Sequence, residues 1–292
     1  VASLEEQEDK VSALLYGREG SHKTTNTLEA SKRGRVFVIN AEAGVKRNAL
    51  IQHGIKPGNV ELWPDNPSQL TIERLEDKAL ELRDDLEKDG ESWYAAVFDS
   101  FTEIANRLLE KEVQRAVEKA ARLGKARDRW QIELGDRGVT ATQLRTTLRL
   151  FRDLPVHLFI TALERRDVDQ KTSEVTYGPA LSPAVAVDTM GLADLVLYCR
   201  PEEIGGEIFS VAYSTAFELR RAKDRFNVLP TKMVLPTATR LIDYVEGVLD
   251  KDSDPERKRA IAAMQAEAGT TPEETEETSG SESETESDAP EE

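Results

Sequence analysis

The chain has 292 residues, 39% of them hydrophobic, which is enough apolar matter for one large domain or two small ones. No apolar run approaches the ~18 residues needed to cross a bilayer, and the single cysteine, Cys199, excludes a disulfide within the chain and fits a reducing cytoplasm. The net charge of −16 is uneven: residues 268–292 hold ten acids and no base, so residues 1–267 carry −6, a balance that argues against a broad nucleic-acid surface.

The opening VASLEEQEDK is acidic and polar and is expected to be neither a signal nor a transit peptide. VSALLY (11–16), RVFVIN (35–40), YAAVFD (94–99), PVHLFITA (155–162) and ADLVLYC (193–199) are short apolar runs bounded by turn or helix signals. They are predicted as strands buried on both faces, with Cys199 a core residue. Between them, SQLTIERLEDKALELRDDLEK (68–88) has apolar residues at helical spacing, and QRAVEKAARLGKARDRW (114–130) is helix-like. Alternating strands and helices predict an α/β domain whose mostly parallel sheet carries helices on both faces. After the fifth strand, EIFSVAYST (207–215) and FELRRAKDR (217–225) are expected as extended antiparallel additions. TRLIDYVEGVL (239–249) reads as a closing helix and DPERKRAIAAMQAEAG (254–269) as a short last one. The predicted organisation is a core over 1–250, a short helix or linker over 251–267 and a disordered acidic tail over 268–292.

The stretch GREGSHKTT (17–25) follows the first strand. It fits the phosphate-loop pattern G-x-x-x-x-G-K-[ST], except that His22 stands where the second glycine belongs. Gly17, Arg18, Glu19, Gly20, Ser21, His22, Lys23, Thr24 and Thr25 are the candidate nucleotide-binding residues. Backbone N–H groups of such a turn surround phosphate oxygens. Lys23 would reach the β- and γ-phosphates, and the Thr24 hydroxyl would ligate Mg²⁺. Histidine tolerates positive φ better than β-branched residues do, so His22 is read as tolerated there, with a catalytic role the alternative. Asp99 ends the third strand and would hold Mg²⁺ through water. Glu42, just past the second strand, would deprotonate the attacking water. Thr161, at the end of the fourth, is a candidate sensor of the γ-phosphate.

Taken together these residues resemble the RecA-like P-loop ATPases. GREGSHKTT is similar to the RecA loop at Gly17, Glu19, Ser21, Lys23, Thr24 and Thr25. VINAEAG resembles the segment whose glutamate activates water, placing that role on Glu42. AAVFDSFTEI resembles the Walker B strand, placing Mg²⁺ coordination on Asp99. RAKDRFNVLP resembles the stretch whose two basic residues reach a neighbouring subunit's nucleotide, a catalytic role that Lys223 and Arg225 inherit. In particular, the loop, DSFTE, ITALERRD, YGPALSP and AKDR…LP follow the order found in small phage RecA-like proteins, the fourth Sak group of single-strand annealing proteins. The resemblance spans roughly residues 11–250. It implies an ATP- and Mg²⁺-dependent phage protein that anneals or recombines single-stranded DNA in the host cytoplasm, as a ring or filament. His22 and Leu163–Glu164 depart from the pattern, and both departures bear on hydrolysis more than on nucleotide binding.

Residues 115–152 carry ten Arg or Lys and four Asp or Glu, a local excess of six positive charges. Arg115, Lys119, Arg122, Lys125, Arg127 and Arg129 are candidate DNA phosphate contacts, the alternative being a solvated helical face. Trp130 would stack on a base or belong to the core. Arg165 and Arg166 lie in LERRDVDQKTSEVTYG, an expected hairpin placed by resemblance where RecA binds DNA. The acidic tail would compete with DNA for the basic stretch, aid solubility, or dock a replication or recombination partner. Two other functions fit the residues: a regulatory or assembly ATPase without a DNA role, and a single-strand binding module that does not hydrolyse ATP.

Overall fold

The computed structural model describes residues 10–88, 93–169 and 171–269; most of the acidic tail lies outside the described residues. The chain opens with β1 (Ser12–Gly17), α1 (Lys23–Leu28), β2 (Arg35–Asn40), α2 (Arg47–Gln52) and β3 (Val60–Trp63). It continues through α3 (Ile72–Glu87), β4 (Trp93–Asp99), α4 (Phe101–Arg122), α5 (Leu134–Arg152) and β5 (His157–Val168). Then come β6 (Val175–Pro179), α6 (Pro183–Leu192), β7 (Leu195–Ile204), β8 (Glu207–Tyr213) and β9 (Lys223–Asp224). The last elements are β10 (Lys232–Val234), α7 (Ala238–Val245) and α8 (Pro255–Gly269).

The sheet runs β10-β8-β7-β1-β5-β4-β2-β3. From β7 to β3 every neighbouring pair is parallel, whereas β8, β9 and β10 add antiparallel pairs. Successive strand residues point to opposite faces, which divides the apolar runs between two cores. Leu14, Tyr16, Phe37, Ile39, Phe98 and Ile160 meet Leu75 of α3, Ile104 of α4 and Leu148 of α5. Leu15, Val36, Val38, Val97, Phe159 and Leu197 meet Leu28 of α1 and Leu241 of α7. Helices thus cover both faces of a mostly parallel sheet, as expected, and Cys199 is fully buried. Burial pushes its thiol up to about 12, so it packs as an apolar side chain.

Three local expectations need correction. The helix expected over 114–130 stops at Arg122. Gly124 takes φ +68°, its N–H bonds Ala121 O, and Lys125 N–H bonds Ala120 O, the paired bonds that close a helix on a left-handed glycine. Of 217–225 only Lys223–Asp224 is a strand. Phe217 and Arg220 exchange backbone bonds around a tight turn in which Glu218 and Leu219 have positive φ. Finally, β3 was not anticipated: its four residues are half-buried or exposed at the sheet edge, so no buried apolar run marks them. At the other end of the chain α8 is anchored, because Asp254, fully buried, accepts from the Arg240 guanidinium and the Tyr244 hydroxyl.

Candidate functional site

The loop after β1 is shaped by close backbone packing. A Cβ on Gly17 would lie 1.9 Å from Cys199 O on β7, so only glycine fits there. Gly20 has φ +75° and His22 φ +58°, both left-handed. His22 therefore takes the conformation that glycine takes freely and that costs other residues roughly 1–2 kcal/mol. Its imidazole is exposed and stands edge-on to His53, with ring centroids 6.3 Å apart. Replacing His22 by glycine should relieve this cost and leave ATP affinity equal or tighter in a binding titration. A loss above tenfold would assign the imidazole a contact with the nucleotide.

Behind the loop, Ser210 of β8 donates from Oγ to Ser21 O at 3.0 Å and accepts from Asn26 Nδ2 at 2.8 Å. These buried bonds pin the loop to α1 and the sheet; sequence reading missed both residues, because nothing in the local pattern of Ser210 points to a loop nearly 190 positions away and the role of Asn26 depends on that partner. Lys23 is buried, and its ammonium donates to Gly17 O (2.9 Å), Arg18 O (2.8 Å) and Ser21 Oγ (3.0 Å). Burial pulls its pKa below the ordinary lysine value, against the opposing pull of nearby Glu42, Asp99 and Glu19. The ammonium is thus poorly solvated and held by two backbone carbonyls and one hydroxyl, neutral acceptors for which an anion's oxygens could substitute.

Asp99 ends β4 with its side chain buried on the α1 face. Its Oδ1 accepts from Thr24 Oγ1 and from Thr161 Oγ1, each at 2.8 Å. Burial raises its pKa, the two hydroxyls oppose this, and the charge of Glu42 adds to it. Thr24 and Thr25 open α1 beside Lys23, so loop, Asp99 and Thr161 converge. Glu42 is exposed beyond β2, and Ser100 Oγ donates to its carboxylate. Ser100, which also caps α4 by accepting from Glu103 N–H, orients Glu42 and was not picked out from the sequence. Among the described residues no cluster of three His, Cys, Asp or Glu could hold a metal alone. The Thr24 hydroxyl and Asp99 carboxylate instead offer an oxygen-only, partial set, which suits Mg²⁺, an ion that takes one or two protein ligands and completes its shell with phosphate oxygens and water.

Glu164, one of the residues that depart from the resembled pattern, is anchored by Arg220 at 2.7 Å and reaches Arg18 of the loop at 3.3 Å. Glu19, like Arg18, is exposed on the outer side of the loop. Lys223 and Arg225 lie elsewhere. Lys223 pairs with Val196 and Arg225 N–H bonds Asp194 O at the amino end of β7, roughly 13 Å along the strand from the level of Gly17. There Arg225 is ion-paired with Asp194, and Lys223 Nζ donates to Met190 O at 2.7 Å. The fold does not bring these two cations to the chain's own loop.

Of the DNA candidates, Arg115 pairs with Glu73 and Glu112, Arg127 with Asp136 and Glu133, and Arg165 with Asp167. Lys119, Arg122, Lys125 and Arg166 are exposed without an ion pair among the described residues. Trp130 is 78% exposed, with the Arg129 guanidinium 4.4 Å from its ring centroid. It walls a groove of about 740 Å³ whose floor is α4. A smaller cleft of about 260 Å³ shares Asn106 and Leu109 with that groove and reaches Arg137 and Arg165 at the base of the β5–β6 hairpin. Glu103, Glu110 and Glu118 also line the groove, so its charge is mixed.

A parallel sheet with a lysine-bearing loop after β1, and an acid at the end of a strand two places away, defines the P-loop class of nucleotide-binding α/β domains. The chain belongs to the AAA domain family, whose profile matches residues 9–226. This makes it an ATPase-type domain, for which nucleotide binding and hydrolysis with ATP and Mg²⁺ are the general activity. No curated protein matches the sequence. Among the described residues no helix is long and apolar enough to cross a membrane.

Proposed function

We propose that this chain is a phage recombinase that binds and hydrolyses ATP at the 17–25 loop and acts on single-stranded DNA in the host cytoplasm as a ring or filament. The observation that carries the nucleotide part is the meeting of Lys23, Thr24, Asp99 and Thr161 at the carboxyl edge of the sheet. Lys23 would exchange its three loop oxygens for phosphate oxygens, regaining charge-assisted bonds that favour its protonated form. Bound Mg²⁺ supplies charge neutralisation across the β- and γ-phosphates, and Thr24 with Asp99 would hold it. Glu42, whose carboxylate accepts from Ser100 Oγ, would take the proton of an attacking water. Thr161 would read the γ-phosphate through Asp99. Because Lys223 and Arg225 sit at the far edge of the sheet, any contact with nucleotide needs a second copy; Arg225 would leave Asp194 to act as an arginine finger.

The DNA part is supported by the α4 groove, lined by Arg129 and the open face of Trp130, and by the adjoining cleft lined by Arg137 and Arg165, with Lys119, Arg122, Lys125 and Arg166 exposed near the same elements. The acidic tail would compete for these cations or dock another replication protein. ATP turnover measured with and without single-stranded DNA tests the whole reading. Turnover stimulated by DNA is the expected result. Turnover indifferent to DNA would leave a regulatory or assembly ATPase, and DNA binding without turnover would leave a non-hydrolysing module.

A further inference from the structure

Asn40 ends β2 in register with Asp99, which ends the adjacent parallel strand β4. In-register neighbours present their side chains on one face. Along β2, Phe37 and Ile39 feed the core under α3–α5, while Val36 and Val38 feed the core under α1. Asn40 therefore emerges on the α1 face, as Asp99 does when it bonds Thr24 of α1. Thr161 continues the same level on β5, since Phe98 is level with Ile160. The carboxyl edge thus carries a polar row, Asn40–Asp99–Thr161, beneath Thr24. Asp99 and Thr161 are bonded within this row. Asn40 is only 7% exposed, yet its Oδ1 has no hydrogen-bond partner among the described residues. A buried acceptor left without a donor is destabilising, and here it sits beside the carboxylate expected to hold Mg²⁺.

We infer that Asn40 is a further positioning residue of this site: its Oδ1 accepts a hydrogen bond from a water bound to the Mg²⁺ that accompanies the nucleotide. The inference rests on the nucleotide reading above. Asp99 and Asn40 then hold the ion's water shell from two adjacent strands, and the orphaned acceptor gains its donor when Mg²⁺·ATP binds. Groups that orient a metal's ligands without touching the metal typically change its affinity 10–100-fold when removed.

The test is the Mg²⁺ dependence of binding of a fluorescent, non-hydrolysable ATP analogue to the full chain, for wild type, Asn40→Ala and Asn40→Asp. Asn40→Ala should raise the half-saturating Mg²⁺ concentration by about tenfold, while the analogue's affinity at saturating Mg²⁺ changes less. Asn40→Asp keeps an acceptor and adds charge, so its half-saturating Mg²⁺ should equal or fall below that of wild type. An Mg²⁺ curve unchanged in Asn40→Ala overturns the assignment; if turnover is lost as well, Asn40 serves the attacking water instead. Asn40→Asp behaving like Asn40→Ala also overturns it, because the group in contact would then be the amide's NH₂. If Asn40→Ala does not fold, a higher Mg²⁺ requirement in Asn40→Asp is by itself decisive against it. Wild type that binds no analogue at any Mg²⁺ concentration removes the nucleotide reading and this one together, whereas failure of the variants alone removes only this one.

Discussion

Lys23→Ala should abolish ATP-dependent behaviour, with turnover down by at least the roughly 10²–10³-fold seen when one preorganised donor is removed from a transition-state site. In the free protein the Lys23 ammonium already sits inside the loop, held by Gly17 O, Arg18 O and Ser21 Oγ. It is buried, and its depressed pKa means that the folded state disfavours the charged form. The linkage sign follows: below the folded pKa this lysine subtracts from stability, and the penalty fades as pH rises toward the unfolded value. The variant without nucleotide should therefore melt no lower than wild type at neutral pH, and the difference should shrink or reverse as pH climbs into the lysine range. Adding Mg²⁺·ATP should raise the melting temperature of wild type and leave that of the variant unmoved. Equal turnover and equal ATP-induced stabilisation in the two proteins would reduce 17–25 to a simple strand–helix connection.

Glu42→Gln should keep ATP binding and lose chemistry, with steady-state hydrolysis falling by about 10²-fold or more, the scale of a general base. The amide retains the shape and an oxygen that can accept from Ser100 Oγ, so the segment after β2 should stay in place. What disappears is the capacity to take a proton. Exposure beyond the strand leaves Glu42 open to water, as a base acting on water needs to be. ATP affinity by titration and phosphate release by steady-state assay separate the two effects. Unchanged phosphate release would move the base to another residue and weaken the RecA-like assignment of VINAEAG.

Much of the fold could be read along the chain. Five short runs rich in Val, Ile, Leu and Phe are strands, because a parallel strand covered on both faces has no polar side to break the run. The turn at 17–25 was legible as well, since its requirement is local: a glycine where no Cβ fits, and a lysine and threonine opening the next helix. Edge strand β3 and the end of α4 at Gly124 were less legible, the first for want of a buried pattern and the second because one left-handed glycine outweighs continuing helical propensity.

The residue types and their local order by themselves determined an α/β domain and a loop able to cradle phosphate. Only the tertiary structure decided which distant groups meet. It set β5 between β1 and β4, which brings Thr161 and Thr24 to the same oxygen of Asp99. It ran Ser210 against the back of the loop, gave Glu164 two arginines, and carried Lys223 and Arg225 to the opposite edge of the sheet. It left Asn40 level with Asp99, its Oδ1 without a hydrogen-bond partner among the described residues. The physical reason is that periodicity records which face of an element is buried, whereas strand order and register, settled by packing between segments far apart in sequence, choose a side chain's neighbours.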